Sequence, residues 1–163
     1  MHQRRPVGHP VLRKETRSQL EGRLLGIDLG AKRVGVAVTD ETRTSVRPLP
    51  FIQRSSWKRL LGDISRLCND FDVRAVVLGL PLRLDGSEGE AAADARRIAR
   101  NLGLSLEIPV HLQDERLTSR AAEESLRDAG FGPEERRARV DGEAAALILS
   151  DFLSRTEDEN SGG

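Results

Sequence analysis

Three acidic positions in this sequence stand where an acid is structurally inconvenient. Asp28 interrupts the apolar stretch LLGIDLG, and a carboxylate buried there without a partner costs several kcal/mol. It must face water, a cation or hydrogen-bond donors, or else cap the turn that follows at Gly30. Asp114 and Glu115 come just after the apolar VHL, at a strand's carboxyl end, where open α/β sheets place ligands. Taken alone, Glu115 reads as a solvated acid paired with Arg116 or Arg120. Asp141 begins the last helical pattern of the chain, and taken alone it reads as an N-cap.

The combination says more than any one member. A first-strand acid, a later strand-end acid and an acid from a closing helix can converge, and a cluster of like charges is strongly unfavourable unless a cation neutralises it. Oxygen ligands without His or Cys suit Mg²⁺ or Mn²⁺. Two such ions about 3.5–4 Å apart can activate a water and stabilise the leaving oxygen of a phosphodiester. The turn DLGAKRVG sets Lys32 and Arg33 beside Asp28; its glycines let backbone approach a phosphate, and the two cations could hold the strand being cut. The same turn also reads as an ordinary cationic hairpin tip. His111 is expected on the sheet surface with no metal role, Trp57 as a core anchor, and Cys68 as core filler.

The elements that must position these residues follow from the hydrophobic periods. Residues 24–29 and 34–39 are short aliphatic runs that read as a hairpin, and 45–52, with Pro48 and Pro50, as an edge or irregular strand. A helix is expected over 56–71, with Leu60, Leu61, Ile64, Leu67, Cys68 and Phe71 on one stripe. Residues 75–79 (AVVLG) form a run suited to a strand buried on both faces. Ser87 and Glu90 have capping-box spacing, predicting a helix to about Leu102 with Ala91, Ala95, Ile98, Ala99 and Leu102 inward. Strand 108–112, a helix over 118–129, a break at 130–133 and a helix over 141–153 complete the order βββ-α-β-α-β-α-α. That is an α/β domain, a mixed sheet with helices on its faces. In it the first strand lies centrally and the last helix crosses its end.

With 163 residues, the chain suits one domain. A single cysteine excludes an intrachain disulfide and cysteine-rich zinc modules, and it points to a reducing, cytoplasmic compartment. No apolar run approaches the ~20 residues of a membrane span. Aromatic residues are 3% of the chain, with no tyrosine, which argues against binding by stacked bases on aromatic platforms. The 26 basic and 26 acidic residues cancel, which argues against a histone-like basic binder. The cancellation hides a basic segment, 1–23, expected as a flexible arm, and an acidic one, 154–163, expected as a disordered tail. The folded unit is expected over 24–153.

Four stretches carry a family resemblance. GIDLGAKRVGVAVTD (26–40), VVLGLPLRLDGSEG (76–89), VHLQDERLTS (110–119) and RVDGEAAALIL (139–149) resemble, in order and spacing, the sequence blocks of the YqgF/RuvX family. The resemblance implies a ribonuclease H-like fold with a mixed five-stranded sheet. It also implies a nuclease site in which Asp28, Glu115 and Asp141 are catalytic and hold one or two Mg²⁺ or Mn²⁺ ions, with Asp114 assisting. Lys32, Arg33, Arg116 and Arg139 are then the candidate nucleic-acid contacts. The implied role is maturation of the 5′ end of pre-16S ribosomal RNA within ribosomal precursor particles in the cytoplasm, and the chain is expected as a monomer or homodimer. Thr39 stands where the family often has serine, and Gly142-Glu143 follows Asp141 where smaller or apolar residues are common.

Other functions are compatible with parts of this pattern. The same chemistry could act on branched DNA as a Holliday-junction resolvase, because carboxylates read phosphodiester geometry and not the sugar. Sugar-kinase and actin-like ATPases share the Asp-x-Gly hairpin, but they close two such domains around a nucleotide and this chain has room for one. A non-catalytic RNA-binding assembly factor would keep the fold without turnover.

Overall fold

The computed structural model describes residues 21–115, 129, 130 and 132–161, and the side chains of these except at 133–141, 158, 160 and 161. Five strands, β1 (Arg23–Leu29), β2 (Arg33–Thr39), β3 (Val46–Gln53), β4 (Val73–Leu80) and β5 (Val110–Asp114), form one sheet in the order β3-β2-β1-β4-β5. The first three strands are an antiparallel meander, whereas β4 and β5 run parallel to β1. The first strand is therefore central, as its apolar sequence predicts. Every parallel strand points its carboxyl end the same way, so Asp28, Leu80 and Asp114 finish at one edge.

Alternation along the strands divides the core in two. Leu25, Ile27, Val34, Val36, Val76 and Leu78 face helices α1 (Trp57–Asp70) and α2 (Glu90–Leu106). Leu24, Ala37, Ala75 and Val77 face α3 (Pro133–Ser161). Ser56 caps α1, accepting the Arg59 N–H at 3.2 Å. Leu60, Ile64 and Cys68 are buried on its inner stripe, and burial pushes the Cys68 thiol up to about 11. Trp57 packs against the same core. Both residues are where their apolar surroundings in the sequence place them.

Helix α3 crosses the opposite face at close range. A Cβ on Gly26 would lie 2.5 Å from Leu149 Cγ and 2.8 Å from the Ala145 carbonyl oxygen, so glycine in the central strand is what lets the helix settle. From its amino end the helix passes over β2 and β3 at Gly142, over β1 at Ala145 and over β4 at Ile148. It reaches β5 where the Phe152 ring stands 5.2 Å from that of His111.

Several expected boundaries move. The Ser87–Glu90 capping box does not form: Gly89 is the N-cap of α2, and the Ser87 N–H donates instead to Asp85 Oδ1 at 2.8 Å. The turn around Gly86 leaves Ser87 two residues before the N-cap, too early to reach the helix amides. Ala92, not Ala91, is buried, since in a first turn packing decides between neighbouring stripe positions. Helix α2 runs on to Leu106, and β5 accordingly starts at Val110, in register with Val76. The last helix begins at Pro133 and not near Asp141; proline suits the first helical position, where no amide is needed. The N-cap reading of Asp141 is thereby overturned, because the residue stands in the helix interior. At the other end the helix continues past 153 into the acidic stretch expected as a tail. There the Thr156 hydroxyl bonds the Phe152 and Leu153 carbonyls, and Arg155 Nη1 donates to Gln113 Oε1 at 3.2 Å. The basic segment up to residue 20 and most of the expected 118–129 helix lie outside the described residues, and Arg23 already belongs to β1. Among the described residues no helix is long and apolar enough to cross a membrane.

Candidate active site

The carboxyl ends of β1, β4 and β5 bring two of the predicted acids into contact. Asp28 is paired with Gly35 on β2, and alternation puts it on the same face as Leu24 and Gly26, under α3. Asp114 ends β5 opposite Leu80, and the next residue, Glu115, is tied back by its N–H to the Leu80 carbonyl at 3.1 Å. That tie turns the Glu115 carboxyl onto β4 above Gly79. A Cβ at Gly79 would lie 2.4 Å from Glu115 Oε2 and 2.6 Å from Ile148 Cδ1. Only glycine leaves room for the acid.

In this position Glu115 is hydrogen-bonded to Asp28. Burial, that hydrogen bond, and the charges of Asp28 and Asp114 push the Glu115 carboxyl up to about 9. The physical content is simple: two carboxyls at hydrogen-bond distance cannot both ionise, so they share a proton unless a cation takes its place. The alternative role for Asp28, capping the turn, is not the one it takes. The Gly30 N–H is already satisfied by the Arg33 carbonyl at 3.0 Å.

A fourth acid joins this neighbourhood without having been singled out in the sequence. Asp151 on α3 has its carboxyl raised by burial and by the charge of Asp114. Its spacing from Ile148, three residues on the same helix, was the available signal, but an exposed-looking acid near the chain's end gives no reason to use it. Asp141 lies on α3 one turn before Ala145; its side chain is outside the described residues. Among the described residues no group of three metal-ligating side chains closes into a cage. The donors present nevertheless fit a hard divalent ion: they are all carboxylate oxygens, and two of the carboxyls are within hydrogen-bond reach of each other.

The cationic tip of the β1–β2 hairpin stands next to Asp28 in the chain. Lys32 is exposed at the tip, and the Arg33 guanidinium stands 5.4 Å from the centroid of the Phe51 ring. The tip is held by a residue that sequence reasoning missed. Arg54 donates its N–H to the Lys32 carbonyl (2.9 Å), Nη1 to the Gly30 carbonyl (3.0 Å) and Nη2 to Asp94 Oδ2 on α2 (2.7 Å). Arg116 lies outside the described residues, and Arg139 is on α3 with its side chain outside them. His111 packs against Phe152. A cleft of about 640 Å³ lined by Glu21, Arg23, Glu41, Asp72 and Arg74 opens at the amino ends of β1 and β4, the opposite edge of the sheet.

The sequence pattern of RuvX, described as Holliday junction resolvase, matches residues 22–155. A protein of Syntrophus aciditrophicus named for pre-16S rRNA nuclease activity is 44% identical over 137 residues, covering 84% of this chain and 91% of the relative. A protein of the same name from Anaeromyxobacter sp. strain Fw109-5 is 43% identical over 131 residues, covering 80% of this chain and 96% of its own. Among solved structures, Thermus thermophilus RuvC in complex with a Holliday junction substrate superposes with a TM-score of 0.53 at 15% identity, covering 83% of this chain and 96% of RuvC. At that identity the likeness establishes the fold, which is ribonuclease H-like.

Proposed function

Since this chain belongs to the RuvX family, a family of nucleases, we propose that it is a metal-dependent endonuclease that matures the 5′ end of pre-16S ribosomal RNA in the cytoplasm. The observation that carries this reading is the hydrogen-bonded carboxyl pair Asp28–Glu115 at the carboxyl edge of the sheet. Asp28 and Glu115 would hold one or two Mg²⁺ or Mn²⁺ ions, joined by Asp141 from α3 and assisted by Asp114. Such an ion supplies an activated water and a Lewis acid for the departing oxygen. Asp28 and Glu115 come from separate strands fixed by the sheet, so their separation is set before substrate arrives. Gly79 keeps the Glu115 carboxyl over the sheet, with Ile148 of α3 packed above the same glycine. Lys32 and Arg33 would hold phosphates of the bound strand on the hairpin side, with Arg116 and Arg139 as further contacts.

The test is Asp28→Asn. It keeps the side chain's size and its capacity to accept a hydrogen bond while removing the charge. We expect cleavage of precursor rRNA to be abolished, with RNA affinity and the unfolding midpoint in the absence of divalent ions nearly unchanged. Cleavage at the wild-type level in this variant would falsify the assignment of the site. A second reading, resolution of four-way DNA junctions, is favoured by the family's description as Holliday junction resolvase. Rates on precursor rRNA and on a synthetic junction, measured side by side, separate the two, and a resolvase must in addition present two active sites as a homodimer.

A further inference from the structure

The face that carries Asp28 continues outward to the edge strand. Asp28 pairs with Gly35, Arg33 lies two residues before Gly35 and pairs with Gln53, and Phe51 lies two residues before Gln53. Side chains two apart share a face, as do cross-strand partners. Asp28, Arg33 and Phe51 therefore line one face on three adjacent strands. Leu49 and Ile52 turn to the other face and pack on the core, leaving Phe51 41% exposed with the Arg33 guanidinium over its ring.

The surroundings of Phe51 are basic. Between Thr42 and Gly62 the sequence holds five basic residues and no acidic one. Of these, Lys58 and Arg59 are exposed on the first turn of α1, and Lys32 is exposed at the neighbouring hairpin tip; Arg47, paired with Val38, faces the other side of the sheet with its guanidinium 5.7 Å from the centroid of the Phe71 ring. Arg54 fixes that tip through the two carbonyls and Asp94 described above. Pro48 and Pro50 remove two amide donors from the outer strand, which suits the edge poorly to recruiting another β-strand. An aromatic ring beside exposed cations is the composition that holds single-stranded nucleic acid, phosphates on the charges and a base on the ring.

We propose that the β3 edge is a guide for a single-stranded RNA segment flanking the cleavage site, with one base stacked on Phe51 and neighbouring phosphates met by Lys32 and Lys58. Phe51 lies two strands from Asp28, roughly 10 Å at about 4.8 Å per strand, so the stacked base belongs to a nucleotide near the cut. A paired helix does not present base faces, which is why the ligand is single-stranded. The scarcity of aromatic residues does not oppose this, since one ring serves one base. The choice of RNA rests on the function proposed above; the guide itself rests on the face, the ring and the charges.

The experiment is fluorescence anisotropy of a short labelled single-stranded RNA with the full chain and a chelator present, so that binding is read without cleavage. Phe51→Ala should weaken binding by about 5- to 150-fold, the equivalent of one lost stacked base. Phe51→Trp should bind as the wild type does, Phe51→Leu should stay weak, and the affinity for a blunt RNA duplex should not change in any of them. Phe51→Leu keeps an apolar side chain at this position, so it separates lost stacking from lost folding. Equal affinity of Phe51→Ala and wild type, full recovery with Phe51→Leu, or an equal loss on the duplex would each overturn the proposal. A chain that binds in this pattern but cuts no RNA would sink the nuclease reading and leave the guide standing.

Discussion

Glu115 can approach Asp28 because position 79 has no side chain. Replacing Gly79 with alanine sets a methyl 2.4 Å from Glu115 Oε2 and 2.6 Å from Ile148 Cδ1, so both must move. Gly79→Ala should lower cleavage at least tenfold and reduce stability by about 1–3 kcal/mol, the usual cost of overpacking. Rates under single-turnover conditions and urea unfolding measure the two effects, and a variant as active as wild type would show that Glu115 need not sit over β4. Asp28 was legible in the sequence because an acid inside an apolar run has few structural excuses, whereas Glu115, which alone reads as a solvated acid, stood out only in combination with the other acids and through the family resemblance. Gly79 and Asp151 were not legible. What each does depends on the atoms it meets from another element, Glu115 in one case and Asp114 in the other, and no spacing along the chain encodes that.

Helix α3 shows the same limit at the scale of elements. Its apolar stripe, Ala145, Ile148, Leu149 and Phe152, was readable from the 3.6-residue period, but both ends were misplaced. The sequence before Asp141 and after Leu153 is charged and carries no apolar stripe, so periodicity has nothing to count there. Contacts extend the helix instead, and at the carboxyl end the partner is Gln113, only 5% exposed and bonded to Arg155. Arg155→Ala withdraws a donor from that buried amide and should cost about 1 kcal/mol, seen as a lower denaturation midpoint with little effect on cleavage. An unchanged midpoint would mean that the last turns of α3 add nothing to the fold. The strands were read more closely, since turn residues and proline bracket each run and leave little freedom in where pairing starts.

For the whole molecule, the crowded carboxyls make stability depend on the ion they are suited to hold. A ligand that binds only the folded chain adds about 2.7 kcal/mol at a hundred times its dissociation constant. Mg²⁺ should therefore raise the thermal midpoint at neutral pH, and chelation should remove both that gain and cleavage. Asp28→Asn should lose most of the gain; the same shift in that variant would place the ion elsewhere. The zero net charge conceals this arrangement, because acids gathered at one edge of the sheet and cations at the hairpin tip and the start of α1 cancel in a sum but not in space. The sequence by itself determined the α/β order, the central first strand and the candidate acids, because hydrophobic period and misplaced charge are local properties. Only the tertiary structure decided that the carboxyls of Asp28 and Glu115 meet over Gly79, and that Arg33 and Phe51 line the same face as Asp28. Those relations are made by register and by helix-on-sheet contact between residues far apart in the chain, and they exist only once the sheet has assembled.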